Sequence, residues 1–439
     1  MIKKRFLLLI LAVLALLFYG CAAQKVPIAE EVPQPEEIPQ IEEELAEKPV
    51  EIPQPIVEEI KEEKPKIVEE VPKTEGPRPD LVPQGEMDRM IQEMMEQMMG
   101  GGAPLATQKE EEFVCDRTLT PRKFNTNPYY TGPLVDSHLH MPFAFRIPSA
   151  FAQQADWNAP VLDQDISKSE IVCLFDKENI NYAFGFYLAT NLMTGQSVQA
   201  AKKFDQQYSG RIVPFIMSPH ITSMDLKPAQ IEEILNSNKG LFKGLGEIAL
   251  YKADYKGVNP DDPYFREMYK IANKHNLIVM IHPDNGQQQA IERILKDYPN
   301  VIFLFHGADN MRSYAADIVK KYPNAYFTID ADFWDIPNEH EGANLYDSKN
   351  KEEFVFEFKR DYNKLLNGAI AAWKGPIEKY PEKFLWGMDR AYEMHFDPEV
   401  GALLEEIGRS FIGQLNPKVQ EKYAYKNAER LIELSGEDE

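Results

Sequence analysis

Five of the eight histidines in this 439-residue chain fall at the ends of short apolar runs. The first run closes Asp136-Ser137-His138-Leu139-His140. Side chains alternate along a strand, so His138 and His140 face one side while Leu139 faces the other. They stand about 7 Å apart along the backbone, close enough for both imidazoles to chelate one metal ion. Later runs close Gly246-Glu247-Ile248, Ile281-His282-Pro283, Phe305-His306-Gly307 and Gly387-Met388-Asp389-Arg390. A lone histidine at a strand end is usually a hydrogen-bonded polar group. Four imidazoles and two carboxylates recurring at equivalent positions, His138, His140, Glu247, His282, His306 and Asp389, predict a shared metal centre. Nitrogen and oxygen donors of this kind suit zinc first, and also manganese, nickel and iron.

Eight short apolar runs must position these groups, at residues 133–141, 182–190, 211–220, 242–250, 277–284, 301–309, 325–333 and 384–391. Helical patterns separate them, as at 263–272 and 287–298. Continuous apolar strands alternating with helices indicate a parallel sheet covered on both faces. Eight such units predict a (β/α)8 TIM barrel over residues 113–439, with its chemistry at the C-terminal strand ends. The competitor is a doubly wound open sheet, but no glycine-rich phosphate loop follows the first strand. Between the seventh and eighth strands, residues 332–383 make a connection long enough for a pocket wall. It carries Trp334, Glu339, His340, Tyr346 and a helical run from Glu352 to Trp373.

The sequence resembles the amidohydrolase superfamily. The pieces are VDSHLH (135–140), KGLGEIAL (243–250), LIVMIHPD (277–284), VIFLFHG (301–307), FLWGMDRA (384–391) and YKNAERLIEL (425–434). HPD, FHG, WGMD and NAERL resemble the amidohydrolase-2 branch, whereas GEIAL is similar to TatD-type and phosphotriesterase-like members. The resemblance implies that His138, His140 and Asp389 bind one ion, that His282 and His306 bind a second, and that Glu247 bridges them. Many relatives bridge with a carboxylated lysine; here the position is Glu247. Amidohydrolase-2 decarboxylases hold one metal and lack this glutamate, so the set favours two metals and hydrolysis of an amide, ester, lactone or phosphoester bond. In that reading Asp389 is general base and then general acid. If Glu247 is instead a structural carboxylate, a mononuclear decarboxylase or lyase follows, with His306 as proton carrier. A catalytically inactive binding lipoprotein is the third class. Arg390, His220, Lys252 and His395 lie near the predicted mouth and are candidates for holding a substrate anion, although supporting roles fit each of them as well.

The rest of the chain sets where such an enzyme works. Forty-eight basic against seventy acidic residues give a net charge of −22, which excludes a nucleic-acid binder and leaves a small-molecule substrate. Residues 1–20 carry Lys3, Lys4 and Arg5 and then an apolar run, the pattern of a secretory signal. Gly20-Cys21 resembles a bacterial lipobox, which implies lipidation at Cys21, membrane attachment through that lipid, and a cell-envelope location. The −3 position, Phe18, departs from the usual Leu. Residues 21–83 form a disordered Pro/Glu-rich tether: positions 25–80 hold 11 prolines, 17 acidic and 7 basic residues and no aromatic. Residues 84–112 hold a Met-rich amphipathic helix, ended by Gly100-Gly101-Gly102. Its methionines suit docking on the main domain, with Cu(I) or partner binding as alternatives. A homo-oligomer is compatible with this composition. Cys115 and Cys173 are able to pair in an exported protein, but Cys173 lies in the apolar Ile171-Val172-Cys173-Leu174-Phe175, and unpaired burial is expected.

Overall fold

Eight parallel strands run in the order in which they occur in the chain: β1 (Leu134–His140), β2 (Ile180–Leu188), β3 (Ile212–Met217), β4 (Gly244–Ala249), β5 (Ile278–His282), β6 (Ile302–His306), β7 (Ala325–Ile329) and β8 (Phe384–Trp386). Each is followed by a helix: α1 (Lys168–Lys177), α2 (Thr194–Gln207), α3 (Pro228–Ser237), α4 (Pro263–Lys274), α5 (Gln288–Asp297), α6 (Ala315–Lys321), α7 (Lys351–Ala369) and α8 (Pro398–Gln414). A further helix, α9 (Asn427–Leu434), follows α8. This is the expected (β/α)8 TIM barrel. The computed structural model describes residues 113–116, 118, 121–141, 166–190, 194–218, 226–251, 257–307, 309–330, 345, 348, 350–391 and 393–435. The signal, Cys21, the tether, the Met-rich helix, His220, Lys252 and most of 331–349 lie outside the described residues.

β1 meets the end of β8 to close the ring: Asp389 N–H donates to His138 O at 3.0 Å, and His140 N–H donates to Arg390 O at 3.1 Å. Two apolar populations hold the ring. Val135, Phe184, Phe186, Phe215, Ile278, Met280, Leu304 and Leu385 point into the barrel, where Ala428 and Leu431 of α9 join them. Their neighbours, such as Ala183, Tyr187, Val279, Ile281, Phe303 and Phe305, face the helices. Because both faces of the sheet are buried, the strands read as continuous apolar runs. Asn427 anchors α9 by donating to the carbonyls of Pro381 and Phe384, each at 2.8 Å. Helix starts are set locally. Ser167 and Glu170 form a capping box on α1, and Asp397 accepts from Glu399 N–H at the start of α8.

Before the barrel, the chain is strapped onto the helix layer. Glu406 of α8 accepts from the backbone N–H of Lys123 (2.7 Å) and Phe124 (2.9 Å), and the Phe124 ring stacks on Tyr362 with centroids 3.6 Å apart. Cys115 is joined to Cys173 of α1 by a disulfide, which corrects the expectation of a free buried thiol. Cys173 is buried as expected. Burial and pairing are compatible because the strap lies directly on that face of α1.

Candidate metal centre

The six expected ligands lie together at the C-terminal mouth. Two irregularities in strand register lie beside three of them. One lies between Asp136 and Leu139 in β1, the other between Leu245 and Ile248 in β4. Such irregularities re-aim side chains next to functional sites; here they turn His138, His140 and Glu247 inward. Gly246 has φ +116, and a Cβ there would stand 2.3 Å from Met280 O, so only glycine lets this backbone present Glu247. Asp389 itself has φ +49, a conformation that Asp tolerates better than most residues.

Donor spacing shows what the cluster can hold. His138 Nε2 stands 3.2 Å from His140 Nε2 and 3.4 Å from Asp389 Oδ1, and His140 Nε2 stands 3.2 Å from that same oxygen. Glu247 Oε2 completes the group at 3.6 Å from His140 Nε2 and 3.9 Å from His138 Nε2. Donors about 2.0–2.2 Å from a tetrahedral ion stand roughly 3.3–3.6 Å apart, so this set fits one divalent cation. Beside it, Glu247 Oε1 lies 2.8 Å from His282 Nδ1, and the His282 and His306 rings stack with centroids 3.9 Å apart. Glu247, His282 and His306 form a second group with donor atoms within 4.8 Å of one another. His306 is buried, and neither ring nitrogen makes an aligned hydrogen bond.

The electrostatics agree with a cation site. Burial pushes the Asp389 carboxyl up, but the imidazoles of His138, His140 and His306 outweigh it and hold the group well below the usual carboxylate range. Glu247 is also lowered: burial opposes this, but His282, His138 and His140 prevail. Conversely, burial pushes His138 down while Asp389, Asp330 and Glu247 raise it to about 9. Buried carboxylates packed among imidazoles form an array that seeks positive charge.

Sequence reasoning missed Asp330, which follows β7 and is fully buried. Its Oδ2 lies 3.0 Å from His138 Nδ1, and its Oδ1 lies 2.9 Å from His306 Nε2. The signal was present, because Asp330 directly follows the apolar run of β7. Tyr251 was also passed over; it lies half exposed against the His282 ring, with centroids 4.2 Å apart.

Arg390 and His395 do not join the cluster. The Arg390 guanidinium is fully buried and pairs with Glu178 in the layer between barrel and helices. It is a buried counter-ion, not a group open to substrate. His395 is buried, with Nδ1 accepting from Ala391 N–H at 3.2 Å.

The Amidohydro_2 family model, described as amidohydrolase, matches residues 135–434. The chain belongs to this family. No curated protein matches the sequence. Among solved structures, an amidohydrolase from Burkholderia multivorans with bound zinc is similar at 12% identity and a TM-score of 0.45, covering 69% of this chain and 99% of that one. A probable 2-pyrone-4,6-dicarboxylic acid hydrolase from Acinetobacter baumannii shares 13% identity at a TM-score of 0.39, over 68% and 99% of the two chains. A dihydroxybenzoic acid decarboxylase from Polaromonas with bound manganese shares 12% identity at 0.40, over 69% and 98%. As an amidohydrolase family member, the protein is an enzyme of that superfamily with His, Asp and Glu groups placed to bind metal.

Proposed function

We propose that this amidohydrolase is a hydrolase with two divalent metal ions, zinc first among them, acting on an amide, ester, lactone or phosphoester bond of a small molecule. The observation that carries the reading is Glu247, whose two oxygens face different groups: Oε2 toward His138 and His140, Oε1 toward His282. A carboxylate so placed would offer one oxygen to each of two ions. When bound, divalent cations lower the pKa of water toward neutrality and polarise the bond to be cleaved. The chain's own residues do the rest. His138, His140, Glu247 and Asp389 would hold the first ion, and His282 and His306 with Glu247 would hold the second. Asp389, held ionised by its imidazole neighbours, accepts a proton from the attacking water and returns it to the leaving group.

A second reading is favoured by one contact. Asp330 Oδ1 lies 2.9 Å from His306 Nε2, an ion-pair distance that favours a protonated imidazole. In that reading His306 carries protons beside a single metal, and the reaction is a decarboxylation or other lyase step. Elemental analysis of purified protein, with an activity screen over the four bond types and decarboxylation, separates the two. About two ions per chain and hydrolysis are expected, with Asp389→Asn lowering kcat by about 10²–10⁴-fold. Turnover unchanged in Asp389→Asn removes the role given to Asp389. Metal-loaded protein inert on every substrate supports a binding lipoprotein.

We further propose that the enzyme works in the cell envelope, attached through a lipid on Cys21. The Cys115–Cys173 disulfide supports an oxidising compartment. Among the described residues no helix is long and apolar enough to cross a membrane.

A further inference from the structure

We infer that Asp330 is a positioning residue that selects which nitrogen of His138 faces the metal. The inference rests on the metal centre proposed above. A neutral imidazole has one N–H and one lone pair, and the partner of one nitrogen decides the role of the other. An ionised carboxylate only accepts, so Asp330 Oδ2 at 3.0 Å from His138 Nδ1 requires the proton to sit on Nδ1. The lone pair is then on Nε2, and Nε2 is the nitrogen that stands 3.2 Å from His140 Nε2 and 3.4 Å from Asp389 Oδ1. The other oxygen, Oδ1, reaches His306 Nε2 at 2.9 Å. One carboxylate therefore touches an imidazole from β1 and an imidazole from β6, one in each proposed group of ligands.

Asp330 is itself held firmly enough to do this. It is fully buried, and Thr328 Oγ1 lies 3.2 Å from its Oδ2. Thr328 Oγ1 is 2.7 Å from Ser137 Oγ, which is 2.7 Å from Trp386 O. A swing of the carboxylate would give up its own contacts with Thr328 of β7, His138 of β1 and His306 of β6. A side chain present only to fill space would need none of them.

The test uses the full chain, labelled with ¹⁵N-histidine and loaded with zinc. Imidazole NMR is expected to show His138 protonated at Nδ1 with Nε2 bare, whereas a proton on His138 Nε2 overturns the inference. This needs no variant. A chelator competition then measures zinc affinity. Asp330→Leu keeps similar volume without an acceptor and is expected to bind zinc on the order of 10–100-fold more weakly. Asp330→Asn, whose amide oxygen still accepts, is expected to fall between Leu and wild type. Wild-type affinity in Asp330→Leu reduces Asp330 to a filler and overturns the inference alone; wild-type protein that binds no zinc overturns the metal centre with it.

Discussion

Glu247 stands between two imidazoles of different strands, with Oε1 2.8 Å from His282 Nδ1 and Oε2 3.6 Å from His140 Nε2. Glu247→Gln keeps the shape but leaves one oxygen and replaces the other with a donor, so the side chain no longer bridges. Metal content is expected to fall from about two ions per chain to about one, and kcat/KM by on the order of 10²-fold or more. Elemental analysis and steady-state kinetics on the same preparation check both. Two ions retained by the variant would mean that Glu247 is a structural carboxylate.

Arg390 and Glu178 form an ion pair with both side chains buried. Burial pushes the Glu178 carboxyl up, and the Arg390 charge opposes that shift. Removing one partner leaves a buried charge uncompensated, so Arg390→Leu is expected to lower unfolding stability by about 3–5 kcal/mol. Adding Glu178→Leu removes the stranded charge, and the double variant is expected to recover a large part of that loss. Urea unfolding of the single and double variants decides the matter. A variant that folds with normal stability but shows a raised KM would return Arg390 to substrate binding.

The barrel was legible in the sequence because its physics is repetitive. Strands buried on both faces must be apolar throughout, so the polar residue that ends each run stands out, and six such residues pointed to one mouth. Asp330 carried the same signal once, but the run was read on to Phe333, whereas β7 ends at Ile329. Its importance comes from contacts with His138 and His306, residues 192 and 24 positions away, and spacing does not encode contacts at that range. The disulfide was hidden for the same reason: its cysteines are 58 residues apart and meet only once the strap lies on α1.

His395 gives the fold a sensitivity to acid. It is fully buried, and burial holds its imidazole at about 3, so the folded protein keeps it neutral where the unfolded chain protonates it near 6.5. The unfolded state then binds more protons as pH falls below ~6.5. His395 therefore contributes full stability above that pH and loses it progressively down to about 3. Two pH units below 6.5 correspond to about 2–3 kcal/mol. Metal-stripped wild type and His395→Phe are to be unfolded in urea at two pH values, near neutrality and about two units below 6.5. The variant's stability difference between the two is expected to be smaller by about that amount. Equal pH dependence in the two proteins removes His395 as the cause.

Cys115 and Cys173 close a loop that includes the strap and all of β1, the strand that carries His138 and His140. A cross-link of this kind stabilises chiefly by restricting the unfolded chain, typically by about 2–4 kcal/mol. Cys115→Ala/Cys173→Ala, or thiol reduction of the wild type, is expected to lower stability by that amount. The metal ligands should stay in place, because β1 is held by β2 and by the closing bonds to Asp389 and Arg390. The strap should loosen first, since without the disulfide it is tied to the barrel mainly by Glu406 and the stacked rings of Phe124 and Tyr362. Limited proteolysis is therefore expected to cut near residues 113–121 in the reduced protein before metal is released. Zinc lost at the same rate as strap cleavage would show that the disulfide supports the metal centre directly.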